Sequence, residues 1–187
     1  MSLTYVEASV LTAWALDSDQ QHSRAERIIQ EIEAGQIDAI TSTLAVMEVI
    51  DAIRKRVTER SEYIGSPTNP QTDMSPVKDE IERVITEFLD GLSALACQDK
   101  VIWTDPDSQM NQTLQKAMEI LQDTFGPFDQ VFKDNRTCYI YRGVGQYDVQ
   151  HALIAQLFGA NCLLTFDRGF SKFSIHPHFA GITFSMR

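Results

Sequence analysis

Residues Gly143 to Phe170 read G-V-G-Q-Y-D-V-Q-H-A-L-I-A-Q-L-F-G-A-N-C-L-L-T-F-D-R-G-F. Val149, Leu153, Ala155, Leu157 and Phe158 fall at helical spacing, and Gly159 supplies a stop. Cys162, Leu163 and Leu164 follow as a strand that is apolar on both faces, the mark of a buried parallel sheet. In a helix followed by a parallel strand, the helix N-terminus and the strand C-terminus lie at one edge of the sheet. Asp148, at the helix start, and Asp167, just past the strand, are thereby drawn to that edge, where ligands of open α/β sheets bind. The same residues also read as a helix cap and a turn starter. His151 shares the helix face of Asp148, either as an orienting group or as a packed or solvated histidine.

Outward from this unit, strands and helices alternate. Leu3-Thr4-Tyr5-Val6 is β-prone and ends on Glu7. Ser9 is a good N-cap for a helix over residues 10–16. A carboxylate at the end of a strand calls for a reason, and a ligand site is one. A second helix is expected from about His22 to Ala34, with Gly35 as its stop, then a strand over 38–41. Ser42 or Thr43 caps a helix through about Val57, with Val46, Val49, Ile50, Ile53 and Val57 inward. Glu48 lies off that stripe and by periodicity is solvated, although it stands only about 8 Å along the helix from the same edge. Residues 61–76 and 123–146 read as excursions, the first rich in Pro, Ser, Thr and Asn. Ser75-Pro76 opens a long helix. A strand over 101–103, a helix from Asp107 or Ser108 to about Gln122, and an edge strand near 182–184 complete the pattern. The expectation is one α/β domain over residues 1–187, a three-layer α/β/α sandwich with a mainly parallel central sheet.

The net charge of −10 argues against a general nucleic-acid coat. Its distribution is uneven. Residues 1–123 carry 10 basic and 22 acidic side chains, a net −12, while residues 124–187 carry 6 and 4, a net +2. Lys133, Arg136 and Arg142, interleaved with Tyr139 and Tyr141, have the composition of an RNA-contacting segment, or of a loop whose aromatics pack on the core. The odd set Cys97, Cys138 and Cys162 lacks metal-type spacing, and Cys162 reads as a buried thiol. Without a signal-like N-terminus or an apolar run of spanning length, a cytoplasmic chain with no membrane segment is expected.

Four motifs in order, Y-V-E-A-S-V-L, T-L-A-V-M-E-V-I-D-A-I-R, G-Q-Y-D-V-Q-H-A-L-I-A and L-L-T-F-D-R-G-F, resemble those of the PIN-domain proteins. These are metal-dependent ribonucleases that include the VapC-type toxins. The resemblance implies that Glu7, Glu48, Asp148 and Asp167 are the acidic catalytic and metal-binding positions, supported by Ser9 and Thr165. It implies a Mg²⁺ or Mn²⁺ cofactor, as suits oxygen ligands, and an RNA substrate. An antitoxin partner and a homodimer are compatible with it. Two departures stand out: the first acid is usually Asp in that family and here is Glu7, and the chain is longer than its small toxins. A degenerate PIN domain that binds RNA or protein without cleaving is the competing expectation.

Overall fold

The computed structural model of the chain describes residues 3–64, 75–104, 115–116, 119, 146–175 and 177–186. Its strands are β1 (Leu3–Val6), β2 (Asp38–Ser42), β3 (Val101–Thr104), β4 (Cys162–Leu164) and β5 (Thr183–Ser185). The helices are α1 (Ala8–Ala15), α2 (His22–Glu33), α3 (Thr43–Ile64), α4 (Ser75–Cys97) and α5 (Gln146–Leu157). Two 3₁₀ segments, Arg168–Ile175 and Pro177–Phe179, precede β5.

All five strands are parallel, in the order β3-β2-β1-β4-β5. The chain builds β1, β2 and β3 in one direction, then returns to lay β4 on the other side of β1. A topological switch point therefore lies between β1 and β4, and the crevice beyond their carboxyl ends is where such sheets bind ligands. Tyr5 pairs with Leu163 and Val6 with Leu164, so the two strand ends leave the sheet level with each other.

Strand alternation sorts the core into two layers. Val6, Ala39 and Leu164 face a cluster made with α1, α2, α3 and α4. Tyr5, Ile40 and Leu163 face the opposite cluster, made with α5 and the 3₁₀ segments. The sheet is thus covered on both sides, which is why the short strand Cys162–Leu164 is apolar on both faces. The second cluster is notably aromatic: Phe170, Phe173, Phe179 and Phe184 pack with ring centroids 5.4 to 6.2 Å apart. This packing anchors the segment that follows the last acidic motif.

Helix ends follow local chemistry, with two corrections to the sequence expectations. Gly35 and Gly159 do terminate α2 and α5, at φ +70 and +75, where a side chain is strained. The N-cap of α1, however, is Glu7 and not Ser9; its carboxylate accepts the Ser9 amide. The carboxylate reaches back over the first turn, where the helix dipole favours negative charge. Helix α3 also runs past Val57 to Ile64. An apolar stripe reports the buried length of a helix, and the polar continuation Thr58-Glu59-Arg60 remains helical beyond it. Residues 61–64 are accordingly helix, not loop. Among the described residues, no helix is long and apolar enough to cross a membrane.

Candidate active site

Glu7 is the first residue beyond β1, and its amide donates to Leu164 O at 3.1 Å, extending the β1–β4 ladder by one bond. The residue is only 5% exposed. A buried carboxylate must find donors, and Oε2 has three. It accepts the Ser9 amide at 2.9 Å, the Thr165 hydroxyl at 2.9 Å and the Ser9 hydroxyl. Ser9 in turn accepts the Phe166 amide, and Thr165 accepts the Asp167 amide, each at 2.9 Å. The two hydroxyls stand 3.2 Å apart. Ser9 and Thr165 thus tie the end of β1 to the turn after β4.

On α5, His151 is wholly buried. Its Nδ1 lies 2.7 Å from the Tyr5 hydroxyl, which lies 2.6 Å from Ser42 Oγ. Ser42 Oγ also accepts the Ala45 amide at the start of α3. His151 Nε2 lies 2.8 Å from Glu48 Oε2 and 4.0 Å from Glu7 Oε1. Glu48 is therefore not a solvated residue of α3; its side chain is 32% exposed and engaged with α5. Periodicity misplaces it because the stripe of α3 faces one core layer, while Glu48 points over the sheet edge toward the other.

The charges act on this chain of contacts. Burial alone would lower the His151 pKa. The Glu48 hydrogen bond and the negative charges of Glu7, Glu48 and Asp148 together outweigh it, and the pKa is raised. The Tyr5 phenol is pushed well up by burial, with the Ser42 hydrogen bond opposing and the charges of Glu7 and Glu48 adding, so it stays neutral.

Asp148 lies in the first turn of α5, half-buried, and its charge is felt at His151. Asp167 is half-buried, and its Oδ1 accepts the Gly169 amide at 2.7 Å, so its turn-starting role is realised. Among the described residues, one group of possible metal ligands brings its atoms within 4.8 Å of one another: Glu7, Glu48 and His151. Asp148 and Asp167 are not members of that group. The basic-aromatic set Lys133, Arg136, Tyr139, Tyr141 and Arg142 lies outside the described residues. From the sequence, Tyr5 has no part in the site and Ser42 is only a candidate cap of α3, a role it does fill through the Ala45 amide. The only signal for His151 was its spacing of three from Asp148, which puts both on one helix face.

Two carboxylates beside an imidazole suit a divalent cation: carboxylate oxygens favour hard ions, and buried anions in proximity need a positive charge. No family model matches the chain, and no curated protein matches its sequence. Among solved structures, it resembles Mycobacterium tuberculosis VapC20, described as a sarcin-ricin loop cleaving toxin. The likeness has a TM-score of 0.52 at 14% identity and covers 90% of this chain and 93% of that one. At that identity the comparison speaks for the fold.

Proposed function

We propose that this chain is a metal-dependent endoribonuclease of the PIN type that hydrolyses phosphodiester bonds of RNA. The observation that carries the reading is the burial of Glu7 beside Glu48 at the switch point of a parallel sheet. An isolated buried carboxylate is costly, and a structural role alone needs only the cap that Oε2 already makes. We assign Glu7, Glu48, Asp148 and Asp167 to holding Mg²⁺ or Mn²⁺. When bound, such an ion would polarise the scissile phosphate and make its water more acidic. Ser9 and Thr165 fix the Glu7 carboxylate, and His151 fixes that of Glu48. Lys133, Arg136 and Arg142 are assigned to phosphates, and Tyr139 and Tyr141 to unpaired bases.

The fold likeness to a protein described as a sarcin-ricin loop cleaving toxin adds support, and an antitoxin-type protein is the partner this reading proposes. A homodimer fits the same reading. Cys97 is exposed and Cys162 half-buried, not buried as its apolar strand suggests, and neither is in a disulfide; a cytoplasmic setting is part of the same proposal. The competing reading, a PIN-like module that binds RNA or protein without cutting, draws on Glu7 standing where an aspartate is usual. Incubating metal-stripped protein with single-stranded RNA, with and without Mg²⁺ or Mn²⁺, decides between them. Cleavage that needs the ion and disappears in Glu48→Gln supports the enzyme. RNA binding of equal affinity with no cleavage in any ion supports the module.

A further inference from the structure

The hydrogen bonds around Glu7 are lopsided. Oε2 takes three donors, while among the described residues no hydrogen-bond donor reaches Oε1. That oxygen, on a nearly buried side chain, faces His151 Nε2 at 4.0 Å. Glu48 Oε2 closes the group, 2.8 Å from the same nitrogen. Three donor atoms, from Glu7 just beyond β1, from α3 and from α5, therefore surround one small volume, and one of them is nitrogen.

We propose that His151 Nε2 is a direct ligand of the divalent ion, beside Glu7 Oε1 and Glu48, making a mixed nitrogen–oxygen site suited to a first-row transition ion rather than Mg²⁺. This rests on the metal-dependent reading above. Donors about 2.1 Å from one ion stand about 3 Å apart when adjacent and about 4 Å apart when nearly opposed. The separations of 2.8 and 4.0 Å correspond to those two arrangements. The other ring nitrogen is held as metal-binding histidines are held: Tyr5 OH fixes Nδ1 at 2.7 Å and is itself fixed by Ser42. With the Nδ1 proton directed to Tyr5, the phenol donates to Ser42 Oγ, and the Nε2 lone pair points at the carboxylates. A bound ion would take the place of the proton that Nε2 shares with Glu48, and that proton would pass to solvent. Imidazole favours transition ions over Mg²⁺, which prefers oxygen and keeps its waters.

The test uses the full chain, stripped of metal and loaded with Mn²⁺, prepared with natural-abundance histidine and with ¹⁵N-histidine. Pulsed paramagnetic resonance is expected to show nitrogen coupling to Mn²⁺ that changes isotope pattern on labelling. Calorimetry is expected to give tighter binding of Mn²⁺ than of Mg²⁺. His151→Gln, which keeps a donor toward Glu48, should abolish the coupling and weaken Mn²⁺ about 10- to 100-fold, with a smaller loss for Mg²⁺. An equal loss for both ions would mark His151 as a positioning residue and overturn the inference. Mn²⁺ bound without nitrogen coupling would overturn it too, while leaving metal dependence intact. Failure to bind any divalent ion would overturn both.

Discussion

The Tyr5 hydroxyl and His151 Nδ1 lie 2.7 Å apart, joining the central strand to α5 across 146 residues of sequence. Both side chains are wholly buried. Through Ser42 on one side and Glu48 on the other, the pair links β2, β1, α5 and α3 in one run of hydrogen bonds. The candidate site is thus fixed by the sheet interior and not by a loop.

Tyr5→Phe removes the middle of that run and leaves a buried imidazole nitrogen without its partner. The expected cost is about 1–3 kcal/mol, the usual penalty for an orphaned buried polar group. Urea denaturation of wild type and variant at neutral pH measures it. Equal midpoints would mean that water readily replaces the phenol.

The raised His151 pKa gives the metal-free protein a pH dependence of known sign. The charges that face the ring are Glu7 from β1, Glu48 from α3 and Asp148 from its own helix; Tyr5 faces it uncharged. The unfolded pKa is about 6.5, so this stabilisation is fully present below that pH and is lost as pH rises through the higher folded value. Denaturation free energies should fall as pH rises from about 6.5 through that higher folded value, with a shallower fall in Glu48→Gln. A wild-type stability that climbs across this range would contradict the assignment.

Gly159 ends α5 at φ +75, and a Cβ there would meet nothing within 4 Å. The cost of Gly159→Ala is therefore conformational alone, about 1 kcal/mol, and Gly159→Asn should recover part of it. Thermal melts of the three proteins check the ranking. A neutral alanine would show that the turn relaxes out of the left-handed region.

Much of this was legible in the sequence because its causes are local. Strand Cys162–Leu164 is apolar on both faces, and Gly159 and Gly35 mark helix ends, so the alternation of elements and the parallel sheet follow from periodicity and stop signals. The carboxyl-edge placement of Glu7 follows from the strand that precedes it. What stayed hidden depends on contacts between distant segments. Glu48 is off the stripe of its own helix, and only the packing of α5 over the edge gives it a partner. Ser9 looks like a cap because serine commonly is one, but the longer Glu7 side chain takes that position. Tyr5 reads as an ordinary strand aromatic until His151 is seen against it.

The basic-aromatic segment is testable without reference to its conformation. Replacing Lys133, Arg136 and Arg142 with alanine should weaken single-stranded RNA binding at low salt. If each contacts one phosphate, it should also flatten the slope of log K against log salt by about 2. Binding isotherms between about 50 and 200 mM salt measure that slope, and an unchanged value removes the segment from the interface.

The most direct test of the central claim compares cleavage of single-stranded RNA by wild type, Glu7→Asp and Asp148→Asn in Mg²⁺ and in Mn²⁺. Glu7 Oε2 is bound by Ser9 and Thr165 at the reach of a glutamate, so the site is built for the longer side chain. Glu7→Asp draws the carboxylate away from donors worth about 1.5–3 kcal/mol each, and the rate should fall about tenfold or more. A metal-dependent nuclease should show ion-dependent cleavage as wild type, weaker cleavage as Glu7→Asp and none as Asp148→Asn. Full-rate cleavage by Asp148→Asn, or no cleavage by wild type in either ion, would contradict the claim.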